Sequence, residues 1–242
     1  MIMPYMGKKI AVIMPAYNAE KTLIECYEAL PEGWFDDVIL VDDCSRDRTV
    51  EVAKTLPIFV HAHPKNRGYG GNQKTCYRLA RERGADIAVM IHPDHQYSPK
   101  YIPDMIRLMV DEGARAVFGS RMIHPENARK GGMPWWKFVA NVALTKIGNL
   151  ALGTKLTEFH SGLRAYDMSV FDEIDIERNS DDFVFDTQII IQLADRKIRM
   201  REVPIMTRYF EGASMIGFRP SCKYGLGILK NLFLYKTGLR RF

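Results

Sequence analysis

An α/β fold, with helices on both faces of a mostly parallel sheet, is the architecture this sequence predicts. Three observations predict it. Short, wholly apolar runs of strand length recur through the first 121 residues. Stretches with helical spacing separate most of these runs, and a cluster of polar residues directly follows most of them. Such runs fit strands buried on both faces, and strand–helix alternation is how a parallel sheet is wired.

Ile10-Ala-Val-Ile-Met14 is the first strand, closed by Pro15. A helix over 20–30 follows and stops at Pro31 and Gly33. Val38-Ile-Leu-Val41 is the second strand, ending at Asp42 and Asp43. Ser45 and Asp47 are suited to cap a helix running through Leu56. Ile58-Phe-Val60 is a third strand, and Gly70 and Gly71 open a helix to Arg83. The fourth strand is Ile87-Ala-Val-Met-Ile91, followed by a helix over 99–112 and a fifth strand, Ala116-Val-Phe118.

After Arg121 the pattern changes. Residues 122–134 are rich in Pro, Gly and charge and read as a loop. Helices are expected at 135–152, 182–196 and from 220 onward, with strands at 161–166 and, as an edge strand carrying Pro204, at 199–207.

The 242 residues are 47% hydrophobic and 26% charged, which excludes disorder, a collagen-like repeat and a disulfide scaffold as whole-chain descriptions. A net charge of +5 suits an anionic ligand or an anionic membrane surface, and is too weak to imply nucleic acid. Cys26, Cys44, Cys76 and Cys222 form no CxxC pair, so a reduced cytoplasm is expected. No signal-peptide architecture is visible, and no run reaches the ~20 apolar residues of a membrane span. The longest apolar stretch, 138–152, is broken by Asn141, Lys146 and Asn149.

In open α/β sheets ligands sit at the carboxyl ends of the strands, where these polar clusters converge. In Pro15-Ala-Tyr-Asn18, Tyr17 is able to stack on a base and Asn18 to fix a turn; a plain structural turn is the alternative. Adjacent Asp42 and Asp43 each need a partner. A base N–H or ribose hydroxyl would satisfy one, while capping by Ser45 and Asp47 is the structural reading. Asn66-Arg-Gly-Tyr-Gly-Gly71 lacks the GxGxxG spacing and the first-strand position of a dinucleotide loop, yet permits close approach of a ligand. His92, Asp94 and Gln96 alternate and share one face, with His95 on the other; Asp94 is a hard oxygen ligand suited to a divalent ion beside a diphosphate. Arg208 follows the edge strand and precedes Glu211-Gly-Ala-Ser214; it offers a fork for phosphate oxygens, or is a plain surface arginine. His61 and His63 read as structural, and Trp135-Trp136 as core or interfacial anchor.

Taken in order, PAYN (15–18), VDDCSRDRT (41–49), NRGYGGN (66–72), HPDHQY (92–97), GSR (119–121), SGLRAY (161–166) and VPIMTRYFEGAS (203–214) resemble the family 2 glycosyltransferases. The last two motifs look like the branch of dolichol-phosphate mannosyltransferase and other polyprenyl-phosphate sugar transferases. The resemblance implies the Rossmann-like GT-A fold, a nucleotide-diphospho-sugar donor and inversion at the anomeric carbon. It implies that Pro15, Tyr17 and Asp42 hold the nucleoside, with Asp43 nearby; Asn18 and Gly68, in the same motifs, are further candidates for binding the donor. Asp94 matches the second aspartate of the metal-binding DxD, and Gln96 a glutamine after it. Arg121, Arg164 and Arg208 match arginines near phosphate or acceptor groups. Two positions depart from the family pattern. Ala19 stands where Glu is usual, with Glu20 one place later, and His92 replaces the first DxD aspartate. Imidazole is a softer ligand and favours Mn²⁺ over Mg²⁺.

The expected organisation is one glycosyltransferase domain: a nucleotide-sugar half at 8–121, an acceptor half at 122–219 and a basic amphipathic tail at 220–242. The expected donor is a UDP- or GDP-sugar, with the ion held by Asp94, His92 and Gln96 and the leaving group clamped by Arg208. A phosphate acceptor needs no catalytic base; a hydroxyl acceptor would need one, with Asp186 or Glu158 as candidates. A sugar nucleotidyltransferase would carry a glycine-rich loop at the first strand, which is missing, and a non-catalytic nucleotide-sugar-binding subunit is the other rival. No acidic residue follows Glu211, whereas Arg219, Lys223, Lys230, Lys236, Arg240 and Arg241 do. With Leu226, Leu229, Leu232 and Phe233 on one stripe, the tail suits peripheral attachment to the cytoplasmic membrane face and a polyprenyl-phosphate acceptor, or packing on the domain's own core.

Overall fold

The structure, a computed structural model, describes residues 5–207 and 217–240. Seven strands form one sheet: β1 (Ile10–Ala16), β2 (Asp37–Asp42), β3 (Phe59–Ala62), β4 (Ile87–Met90), β5 (Ala116–Ser120), β6 (Arg164–Asp167) and β7 (Met200–Pro204). Their order is β3-β2-β1-β4-β6-β5-β7. All pairings are parallel except those of β6, which runs antiparallel between β4 and β5. A strand from the second half of the chain is thus wedged into the sheet formed by the first.

The helices are α1 (Leu23–Glu28), α2 (Thr49–Ala53), α3 (Gly68–Glu82), α4 (Ile102–Val110), α5 (Pro125–Lys130), α6 (Trp135–Leu152), α7 (Phe185–Asp195) and α8 (Phe218–Lys236). Side chains of a strand point alternately to its two faces, and β1 divides itself accordingly. Ala11 and Ile13 join the core under α3 and α7, while Ile10, Val12 and Met14 join the one under α1 and α4. Burial on both faces is why these strands read as unbroken apolar runs.

Three differences from the expected elements have physical causes. β1 continues through Pro15, because β4 pairs only with residues 10–13 and leaves the missing Pro N–H outside that ladder. α2 starts late and without a side-chain cap: Ser45 is taken by Asp42, and Asp47 accepts from Thr49 N (3.0 Å) and Glu20 N (3.1 Å). The 122–134 segment contains α5, which Gly131 and Gly132 follow. α6 has the expected limits and ends on Gly153 at φ +69°, a left-handed position that suits glycine.

Candidate active site

A cavity of about 920 Å³ lies beyond the carboxyl ends of β1 and β4, walled on the far side by α6 and α8. Pro15, Tyr17, Asn18, Asp43 and Gly68 line one end, His92, Asp94 and Gln96 also line the wall, and Arg121, Lys137 and Tyr224 belong to the side formed with α6 and α8.

At the first end the backbone itself satisfies the carboxylates. Asp42 is buried, and Ser45 donates both its N–H (3.0 Å) and its hydroxyl to it. It lies behind the lining, so the partner expected from a nucleoside is supplied by Ser45 instead. Asp43 does line the cavity, and it accepts from Arg67 N (2.8 Å), Gly68 N (3.0 Å) and His63 Nδ1 (2.9 Å). His63 Nε2 lies 3.0 Å from Thr75 Oγ1, so the structural reading of this histidine has a concrete form. Asn18 adopts φ +52° and joins the turn to residues 45–46: its N–H donates to Ser45 Oγ and its Oδ1 accepts from Arg46 N, both at 2.8 Å. Gly68 has φ +82°, and a Cβ there would stand 2.6 Å from Asp181 O. Only glycine fits this close approach. Tyr17 is half exposed at the rim.

β4 stops at Met90, and residues 91–98 form a turn rather than more strand. The turn still brings His92, Asp94 and Gln96 to the wall together, while His95, at φ +55°, lies 3.3 Å from Glu25. The Gln96 N–H donates to Asp94 Oδ1 at 3.1 Å. Burial holds the Asp94 carboxyl above its usual pKa, opposed by His92 and by that N–H. No cluster of three or more His, Cys, Asp or Glu suited to a metal occurs among the described residues.

At the α6–α8 side the charges satisfy one another. Arg121 Nε donates to Glu158 Oε1 (2.8 Å), Arg121 Nη2 pairs with the same oxygen, and Asn141 Nδ2 adds a bond of 2.8 Å. Burial alone would raise the Glu158 pKa; the Arg121 charge and these donors outweigh it and hold the carboxyl low. Glu158 is buried outside the lining, so as a catalytic base it is misplaced: it anchors Arg121. Arg164 needs the same correction. Its guanidinium is buried and donates to Ser161 O (2.9 Å) and Phe159 O (2.8 Å), with Asp186 3.7 Å away. It braces the wall from behind instead of reaching a ligand. Asp186 does line the cavity, but accepts from Tyr69 (2.8 Å) and Gln73 (3.3 Å). Arg208 and the 211–214 segment lie outside the described residues.

Several lining residues had not been singled out from the sequence. Tyr69 stands inside the quoted glycine-rich motif, and Lys137 directly follows the Trp pair. Burial, then the Arg121 charge, lower the Lys137 pKa. His160 and Tyr224 carried no signal; their bond, Nδ1 to Oη at 3.1 Å, joins residues far apart in the chain. Burial pushes the His160 pKa down to about 4.

In a mostly parallel α/β sheet, a polar cavity at the strand ends is the position where such folds take their ligands. The sequence pattern of the glycosyl transferase family 2 matches residues 11–175, and the chain belongs to that family: it is a glycosyltransferase with the GT-A fold. Among curated proteins it is similar to the UDP-N-acetylglucosamine–dolichyl-phosphate N-acetylglucosaminyltransferase of Methanococcus voltae, 30% identical over 96% of this chain and 97% of that one. It is also similar to the polyprenol monophosphomannose synthase of Mycolicibacterium smegmatis, 25% identical over 82% of this chain and 77% of that one. Both names fall in the polyprenyl-phosphate branch. Among solved structures, glucosyl-3-phosphoglycerate synthase from Mycobacterium tuberculosis, in complex with Mn²⁺, UDP and phosphoglyceric acid, superposes with a TM-score of 0.74 over 98% of this chain and 81% of that one, at 19% identity. No helix among the described residues is long and apolar enough to cross a membrane.

Proposed function

We propose that this enzyme transfers a sugar, with inversion, from a nucleotide-diphospho-sugar to a polyprenyl phosphate at the cytoplasmic face of a membrane. One observation carries the reading. A single cavity has a turn-built polar end and a cationic side walled by α6 and α8, and these two helices carry exposed apolar residues on their outer faces. Trp135, Val139, Ile147 and Leu150 are exposed on α6, and Leu226, Leu229 and Phe233 on α8. Ile228 and Leu232 pack inward with Ile191, so α8 both packs on the body and offers an outer face among Lys223, Lys230 and Lys236. A face of this kind suits the interface of an anionic bilayer, with each basic residue near the surface contributing about 1 kcal/mol.

In this reading the chain is one domain, with a donor half at 8–121, an acceptor half at 122–219 and an interfacial tail at 220–242. Pro15, Tyr17 and Asn18 receive the nucleoside on the turn that Asp42 and Asp43 stiffen, and the diphosphate lies beside Gly68 at the start of α3. Asp94 and His92 supply a carboxylate and an imidazole, too few for a closed metal site. The set fits a divalent ion whose remaining positions come from the diphosphate, with Gln96 beside it. Such an ion, Mn²⁺ or Mg²⁺, neutralises charge on the departing diphosphate when bound. Arg208 is assigned to the same leaving group.

Arg121 and Lys137 hold the acceptor phosphate. An oxygen of that phosphate attacks the anomeric carbon from the face opposite the diphosphate, and the glycosidic C–O bond breaks toward the nucleotide. The attacking oxygen is already ionised, so no base is required. That matches an acceptor side where Glu158 is spent on Arg121 and Asp186 on Tyr69.

The test is transfer from a panel of UDP- and GDP-sugars, with Mn²⁺, to a short-chain polyprenyl phosphate. NMR then reads the anomeric configuration of the product. An inverted sugar phosphate is expected from at least one donor; retention would overturn the displacement geometry.

A further inference from the structure

Tyr69, the second residue of α3, touches two groups with one hydroxyl. Its oxygen lies 2.8 Å from Asp186 Oδ2 and 3.3 Å from His92 Nε2. Its ring stacks on His92, with centroids 5.5 Å apart and an interplanar angle of 25°, and packs against Phe183 at 4.9 Å. A hydroxyl has one proton to give. Asp186 is a carboxylate next to the buried Arg164, and it receives Gln73 as well, so it can only accept. The Tyr69 proton therefore points at Asp186, and toward His92 the hydroxyl can only accept. A neutral imidazole that donates from Nε2 carries its lone pair on Nδ1.

The other side of the ring is fixed by a glycine. A Cβ at Gly162 would stand 2.8 Å from His92 Cδ2 and 3.1 Å from Nε2. The Cδ2–Nε2 edge is thus packed between Gly162 and the Tyr69 hydroxyl. The Nδ1 edge makes no hydrogen bond among the described residues, and His92 lines the cavity with Asp94 two residues on.

We propose that Tyr69 is a positioning residue. Held by Asp186, it locks His92 in the Nε2–H tautomer and leaves Nδ1 as the atom His92 presents to a divalent ion at Asp94. Groups that hydrogen-bond the far nitrogen of a ligating histidine fix its tautomer and orientation, and losing one typically costs 10–100-fold in metal affinity. The ligand role rests on the metal reading given above; the tautomer does not.

The experiment separates the two. Long-range ¹H–¹⁵N NMR of histidine-labelled protein, free of metal and donor at about pH 8 where imidazole is neutral, reports the tautomer directly. His92 is assigned from the resonance lost in His92→Gln. The parent should show Nε2–H, and Tyr69→Phe, which removes only the oxygen, should move population to Nδ1–H. An Nδ1–H parent, or an unchanged tautomer in Tyr69→Phe, overturns the lock. The second readout is the Mn²⁺ concentration for half-maximal rate. It should rise about tenfold in Tyr69→Phe, by more than kcat at saturating Mn²⁺ falls. A shifted tautomer with an unaltered Mn²⁺ requirement would overturn Nδ1 as the ligand atom.

Discussion

Asp43 and Glu158 are both buried carboxylates beside the same cavity, yet they are stabilised in different ways. Asp43 is held by two backbone N–H groups and one imidazole from residues 63–68. Glu158 is held by the side chains of Arg121 and Asn141, 37 and 17 positions earlier in the chain. The proposed donor end is built from turns that satisfy one another's polar groups, mainly through backbone N–H groups. The proposed acceptor side is built from side-chain charges that depend on one another. Removing a donor-end side chain that points into the cavity should therefore cost activity, whereas removing an acceptor-side charge should also cost stability.

The largest expected effect tests that contrast. Arg121→Leu leaves Glu158 buried without its cation, and breaking such a pair costs about 3–5 kcal/mol. Urea denaturation should show this loss, and Arg121→Leu with Glu158→Leu should recover most of it. A single-variant loss within experimental error of zero would break the contrast.

Asp94→Ala is the donor-end counterpart. Loss of a group that organises leaving-group stabilisation should lower the transfer rate by about 10²–10³-fold, with the urea midpoint close to the parent's. An equal loss of stability would mean that Asp94 is a structural residue.

His160 sharpens the comparison through pH. Its folded pKa of about 4 lies below the ordinary value near 6.5, so the unfolded chain takes up a proton that the folded one refuses. Its contribution is complete above about pH 6.5 and is lost as pH falls toward 4, by at most about 3 kcal/mol. Stability curves of parent and His160→Gln should converge across that window. Parallel curves would contradict burial of a neutral imidazole against Tyr224.

The smallest effect on stability, within about 0.5 kcal/mol, is expected from Leu226→Ser with Phe233→Ser, since both side chains are exposed. Co-sedimentation with anionic phosphatidylglycerol vesicles at low salt should nevertheless fall sharply. Unchanged vesicle binding would remove the outer face of α8 from the interface.

The same contrast explains what was legible in the sequence. The donor end was visible because each turn sits just after its own strand: Pro15 to Asn18 after β1, Asp43 after β2, His92 to Gln96 after β4. Local order along the chain mirrors spatial order there. Asp42 is ambiguous in the sequence because an acidic residue at a strand end reads alike whether its partner is a ligand or the hydroxyl three residues on. Arg121 with Glu158, Tyr69 with Asp186 and His160 with Tyr224 join residues 37, 117 and 64 positions apart, and no motif encodes such pairs. Arg164 resembled a ligand-binding arginine, but β6 enters the centre of the sheet and buries it. In the sequence the apolar stripe of the tail reads as one face. The helix has two, with Leu232 inside and Phe233 outside.

The central claim is that this cavity pairs a nucleotide-diphospho-sugar with an anionic acceptor. Its most direct test is a competition at equal concentration between a short-chain polyprenyl phosphate and the same polyprenol without phosphate, using the donor that supports turnover. With Arg121 and Lys137 as phosphate partners and no base to ionise an alcohol, the predicted product is the polyprenyl-phosphate sugar alone, and Lys137→Met should weaken the KM for that acceptor while sparing that of the donor. Comparable transfer to the free polyprenol would contradict the account and return Asp186 to the role of catalytic base.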